Sequence, residues 1–197
     1  MSTLQRRRMM MAQGVTYDGI PLTITNVSDS NVVISINIRG GLAPLLYYKK
    51  EKKKTYRRWK YDNITLRPQE SMDIFGDNPE GFSKSNTEYI NFRSSGDISV
   101  SGRVSSLSFT IRSYNYANLF NSANVVSISE DLFVGVNLTP YCFHKTFAYN
   151  KNLQEVPQYL LPFTTLSTYC YQGMFQNTKI KKVPANFLPA TNALNAY

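Results

Sequence analysis

The sequence predicts a mostly β protein in two parts: a small β-sandwich-like domain over residues 15–107, then a short solenoid over 108–197. Three observations lead there. The first part alternates apolar and polar residues in short runs broken by Gly, Pro, Asn and Asp, the pattern of half-buried strands joined by turns. The second part repeats itself every 27 or 28 residues at fixed apolar positions, the mark of stacked coils. Aromatics are abundant (14 Tyr, 11 Phe, 1 Trp) and, with many Ser, Thr and Asn, favour strands and loops over helices. At 42% hydrophobic residues, the 197-residue chain has enough apolar side chain for a real core.

Residues 1–14 form a polar and basic lead. Leu4, Arg6, Arg7, Arg8, Met9, Met10 and Met11 make two turns of helix at most, too short to hold in water without a partner. A frayed terminus is the ordinary reading. The functional one is a docking peptide, with the methionines as an adaptable apolar patch and the arginines meeting acidic groups.

The β domain then reads strand by strand. Residues 22–27 form a short strand, and 32–39 alternate at Val32, Ile34, Ile36 and Ile38 until Gly40 and Gly41 end the run. Residues 45–50 and 56–61 read as two aromatic strands of a hairpin whose tip is Glu51, Lys52, Lys53 and Lys54. Short strands follow at 64–66 and 72–76, then a loop rich in Pro and Gly. Residues 89–93 and 98–104, split by Ser94, Ser95, Gly96 and Asp97, read as a last hairpin.

The repeats rest on three sets of positions. Leu138, Leu166 and Leu194 are 28 apart, as are Tyr141, Tyr169 and Tyr197. Phe120, Phe147 and Phe175 recur at 27 and 28. After each Phe comes an aliphatic pair: Val125 and Ile128, Leu153 and Val156, Ile180 and Val183. That makes about two and a half units, where at least about three are usually needed to stand alone. The β domain is therefore expected to cap the first coil, and either more chain or a partner to cover the end near Tyr197. Cys142 and Cys170 occupy the same place in successive units and read as small buried hydrophobes rather than a disulfide or a metal site.

Charge is concentrated. The net charge is +9, yet 49–60 alone carries Lys49, Lys50, Lys52, Lys53, Lys54, Arg57, Arg58 and Lys60 against the single acid Glu51. The ordinary reading is a solvated hairpin that also deters edge pairing. The functional reading is a contact for an acidic partner, a protein or an anionic glycan. Interleaved Tyr56, Trp59 and Tyr61 would suit single-stranded nucleic acid, but one hairpin is a small footprint, and nucleic acid is not the expected partner.

No apolar run of 18 residues exists, so no membrane insertion is expected. The apolar stretch after the arginines is well short of the roughly 7–15 residues of a secretory leader. No catalytic constellation emerges, and no cofactor is expected. His144 is the only histidine and reads as an ordinary repeat residue. Phosphate loops, dinucleotide fingerprints and zinc-protease motifs are absent, and the 13 carboxylates are scattered, with Asp29, Asp62, Asp73, Asp77 and Asp97 in or beside expected turns.

Residues 161–184, Leu-Pro-Phe-Thr-Thr-Leu-Ser-Thr-Tyr-Cys-Tyr-Gln-Gly-Met-Phe-Gln-Asn-Thr-Lys-Ile-Lys-Lys-Val-Pro, resemble the BspA-like leucine-rich repeats of gut Bacteroidales and their phages. Leu188 to Thr191 fits the same pattern. The chain departs from it where a cysteine is usual, having Asn150 and Thr178 instead, and its first unit (114–143) is degenerate. The lead Leu-Gln-Arg-Arg-Arg-Met-Met-Met-Ala (4–12) is similar to the short lead of many gut-phage virion proteins. The resemblance implies a BspA-type leucine-rich-repeat solenoid in a non-enzymatic virion protein, of the tail or tail fibre rather than the head. Its partners would be other virion proteins and a host-surface glycan or protein, and homo-oligomerisation would fit a fibre component. A bacterial adhesin fragment without its signal peptide and a tail-associated polysaccharide depolymerase are the alternatives.

Overall fold

The computed structural model describes residues 19–108 and 110–190. The lead with Leu4, Arg6, Arg7, Arg8, Met9, Met10 and Met11 lies outside the described residues, as do Leu194 and Tyr197. The described chain is mostly β. Its strands are β1 (Leu22–Asn26), β2 (Val32–Ile38), β3 (Leu46–Lys50), β4 (Arg57–Trp59), β5 (Ile64–Leu66), β6 (Ser71–Gly76), β7 (Ile90–Ser94), β8 (Ile98–Gly102) and β9 (Val125–Ile128). They form a six-stranded sheet in the order β4-β3-β6-β1-β8-β9 and a three-stranded sheet in the order β5-β2-β7.

Alternation decides which face of each strand is buried. In β1, Leu22 and Ile24 are buried between half-exposed threonines, and in β2 Val32 and Ile34 point the same way. Inward residues of both sheets join one buried apolar cluster with Trp59, Phe82 and Phe92. Asn26 ties the start of this domain together. Its amide donates to the carbonyls of Ser30 and Leu66, and its side-chain oxygen accepts from the N–H of Ser28, an Asx turn between β1 and β2. At the end of β8, Gly102 has φ +73° and a Cβ there would sit 1.9 Å from the Pro21 carbonyl, so only glycine fits.

Two expectations are corrected. Residues 89–104 are not a hairpin: β7 pairs with β2, whereas β8 pairs with β1 and β9, so the chain changes sheets at Ser95 to Asp97. The corner is tight, for a Cβ on Gly96 would lie 2.8 Å from the Val32 side chain. A turn sequence between two strands does not say whether they pair. Asp73, expected beside a turn, lies within β6 instead, opposite Lys49 of β3.

The C-terminal third is built from runs of consecutive turns at 113–122, 140–149 and 168–177. Every fourth residue in each run has positive φ: Tyr114, Asn118 and Ser122; Tyr141, Lys145 and Tyr149; Tyr169, Gly173 and Asn177. Alternate N–H groups bond three residues back within the run, as Leu119 to Tyr116 and Thr146 to Phe143. The intervening ones reach the next run: Tyr114, Tyr116, Asn118, Phe120 and Ser122 donate to the carbonyls of Pro140, Cys142, His144, Thr146 and Ala148. Tyr141, Phe143, Lys145, Phe147 and Tyr149 donate in turn to Thr168, Cys170, Gln172, Met174 and Gln176. Each run thus satisfies its own backbone only with help from a neighbour.

Candidate functional site

Three aromatic columns run through the repeats. Phe120, Phe147 and Phe175 stack at 5.6 and 5.9 Å with rings 5° apart. Tyr116, Phe143 and Tyr171 stack at 5.8 and 6.0 Å. Tyr114, Tyr141 and Tyr169 form the third column, at 4.5 and 5.0 Å, half-exposed on the surface. All three of these tyrosines have positive φ, between 51° and 63°, a conformation that costs a bulky residue of order 1–3 kcal/mol. Stacking with neighbours above and below offsets part of that cost.

The Phe column does not begin in the repeats. Phe92 of β7 stacks on Phe120 at 5.6 Å, and Trp59 of β4 on Phe92 at 6.0 Å, so the β domain supplies the first rings. It also fills the first run's carbonyls. Asn115 accepts from the Ser83 N–H, Ala117 from the Ser83 hydroxyl, Leu119 from the Phe92 N–H and Asn121 from the Asn91 amide. These are the equivalents of the Cys142, His144, Thr146 and Ala148 acceptors one coil later. β8 completes the substitution by pairing in parallel with β9.

The opposite face is finished differently. The outward N–H groups of the third run belong to Tyr169, Tyr171, Gly173, Phe175 and Asn177; among the described residues none meets a backbone carbonyl, and the Tyr171 N–H lies beside the Cys170 thiol. Exposure follows the same direction. Phe120 and Phe147 are fully buried and Phe175 half-buried; Val156 is 6% exposed and its counterpart Val183 is 57%. Leu153 is buried, and Leu138 and Ile180 are half-buried against the core. Leu166 is half-buried too.

Asn150 is the polar centre of the stack. It is fully buried; its oxygen accepts from Ala123 and Val125 N–H, and its amide donates to the Phe120 and Phe147 carbonyls. Thr178, its counterpart, makes one such bond, to the Phe175 carbonyl. Neither position needs a thiol. Cys142 and Cys170 are free, and burial pushes the Cys142 thiol up to about 11, which keeps it protonated and unreactive.

The basic hairpin carries both paired and exposed charge. Lys49 pairs with Asp73 at 3.2 Å and lies over the Tyr56 ring; Lys50 pairs with Glu70 at 3.2 Å; Arg57 covers Tyr48. Burial opposes the Glu70 charge, but the Arg67 backbone N–H and the Lys50 ammonium outweigh it and hold the carboxyl below its ordinary range. Lys52, Lys53, Lys54, Arg58 and Lys60 are exposed. Trp59 is 1% exposed and bonded to the Asp62 carbonyl, while Tyr56 packs edge-on against Phe75. Trp59 thus serves the core, whereas Tyr56 and Tyr61 are half-exposed beside it.

His144 is nearly buried, edge-on to Tyr114 and Tyr141. Burial lowers its pKa, the neighbouring Lys145 adds to that, and a bond with Gln172 partly opposes it. Clefts of about 270, 440 and 540 Å³ lie at Gly40–Phe82, beside β9 and beside Leu138. Among the described residues no three His, Cys, Asp or Glu gather in a metal-binding group, and no helix is long and apolar enough to cross a membrane. Comparison with family models, curated proteins and solved structures finds no match.

Proposed function

We propose that the chain is a non-enzymatic binding and assembly protein: a small β-sandwich whose edge caps a short BspA-type leucine-rich-repeat solenoid. The observation that carries this reading is the ladder itself, which runs through three turn runs and is filled on its first face by residues 83–93. Such a stack is a preformed surface, so little ordering cost falls on the binding step. Its stacked columns and tied backbone serve rigidity, and the titratable groups inside it are held neutral rather than poised for proton transfer.

The similarity of 161–184 and 4–12 to gut-phage proteins supports a place in a virion, in the tail rather than the head. In that reading the lead docks onto the particle, and Lys52, Lys53, Lys54, Arg58 and Lys60 meet an acidic neighbour. Mass spectrometry of purified particles against host membranes tests the setting. Recovery in particles at a fixed copy number is expected, and recovery only in host membranes would favour the adhesin alternative.

A further inference from the structure

We infer that the β3–β4 hairpin is the docking site of an acidic polysaccharide, a linear glycan carrying carboxylate or sulfate groups. The inference rests on reading the chain as a binding protein and names the chemistry of its acidic partner. From Glu51 to Asp62 the cations Lys52, Lys53, Lys54, Arg57, Arg58 and Lys60 are exposed, against the exposed acids Glu51 and Asp62. Among the described residues none of these cations is in an ion pair, unlike Lys49 and Lys50 beside them. The residues outside the description add a single acid, Asp18, so they cannot neutralise the patch. The hairpin is tied down. Leu46, Tyr47 and Tyr48 pair with Trp59, Arg58 and Arg57, the Glu51 N–H reaches the Ser71 carbonyl at 3.0 Å, and the Tyr61 hydroxyl donates to the Pro44 carbonyl. Trp59 points into the core, so Arg58 and Lys60 on either side of it face outward together. The charges are thus mounted on the paired edge strand of a six-stranded sheet, and little backbone ordering falls on binding.

The surroundings of the charges select the partner. A protein interface is built on a desolvated aromatic or aliphatic centre and is poor in lysine. Here most of the exposed cations are lysines, and the exposed large apolar side chains among the described residues, Ile20, Ile111, Tyr149, Tyr159, Val183 and Leu188, all lie outside 51–62. Single-stranded nucleic acid asks for open ring faces on which its bases stack. Trp59 is 1% exposed, and Tyr56 has the Lys49 ammonium over its ring and Phe75 against it. A charged glycan needs neither feature. Its carboxylates or sulfates are met by point charges on flexible stems, which the lysines supply, and by the guanidinium forks of Arg57 and Arg58, which match two oxygens at once.

The test is fluorescence anisotropy of labelled polygalacturonate and dextran sulfate titrated with the full chain. Binding is expected to at least one of them, with affinity falling at least about tenfold between about 50 and 200 mM salt as counterions are released. Binding of one probe alone names the carboxylate or the sulfate as the group recognised. The triple variant Lys52→Gln, Lys53→Gln, Lys54→Gln should bind at least about tenfold more weakly. Lys179→Gln, Lys181→Gln, Lys182→Gln removes the same charge from exposed lysines of the repeats and should stay within about twofold of the parent chain. Circular dichroism of both variants should match that of the parent. Equal losses in the two triples overturn the proposal by showing a response to net charge alone. Failure to bind either glycan at about 50 mM salt overturns it outright. Tighter binding of a thymidine oligonucleotide of matched charge assigns the hairpin to nucleic acid instead, and tighter binding of polyglutamate assigns it to an acidic protein. Absence of the chain from purified particles would sink the virion setting and leave glycan binding standing, whereas failure of glycan binding leaves the repeat ladder as described.

Discussion

The two ends of the repeat stack use the same unit and are finished in different ways. At the first run, the β domain stands in for a missing coil: Phe92 supplies the ring, β8 the strand, and Ser83, Asn91 and Phe92 the donors. At the third run, the equivalent groups face outward among the described residues. The difference leads to the expectation that a turn run has little stability of its own and takes it from whatever lies on each side. Equivalent substitutions in the second and third runs should therefore have unequal effects.

The largest contrast is expected in the Phe column. Phe147→Ala removes a ring packed on both faces and should cost about 3–5 kcal/mol, whereas Phe175→Ala should cost about 1–2 kcal/mol. Chemical denaturation of the two variants checks this, and equal losses would break the comparison. Next comes the buried amide. Asn150→Ala strands the Val125 N–H and the Phe147 carbonyl, while Ala123 and Phe120 keep their mutual bond, and should cost about 3 kcal/mol; Thr178→Ala strands nothing, since the Thr178 N–H still reaches the Phe175 carbonyl, and should cost under about 1 kcal/mol. Lys145 should show a small effect of the opposite sign. It sits at φ 51° where the next coil has Gly173, so Lys145→Gly should gain about 0.5 kcal/mol, left-handed strain relieved less the entropy of glycine.

The last contrast is one of pH. Burial depresses the His144 pKa from 6.5, so the unfolded chain takes up a proton that the folded chain resists. The His144 contribution is fully present above about pH 6.5 and declines as pH falls below it. His144→Gln, which copies Gln172 of the next coil, should flatten that decline between pH 7 and 5 in thermal melts, and an unchanged slope would remove His144 from the account.

Much of this was legible in the sequence, because strand alternation and the 27–28 residue period are direct consequences of burial. The strands of the β domain begin and end within a few residues of the apolar runs that predict them. Phe120, Phe147 and Phe175 do form one column, and Leu153 is a core residue. What the sequence concealed was partnership across distance. Whether β7 and β8 pair depends on which sheet each strand completes, and Ser95 to Asp97 carries no mark of it. That Trp59 belongs to the column and not to a binding platform follows from the pairing of Leu46 with Trp59 and the stacking on Phe92. One signal was present and easily passed over. Phe92 precedes Phe120 by 28 residues, so the period already reached into the β domain.

The central claim is that the repeats depend on the β domain for one finished face. Calorimetry of residues 108–197 expressed alone tests it most directly. Without Phe92, Asn91, Ser83 and β8, the first run loses its ring contact, its donors and its partner strand, and the account predicts no cooperative unfolding transition. A sharp, reversible melt from that fragment would contradict it.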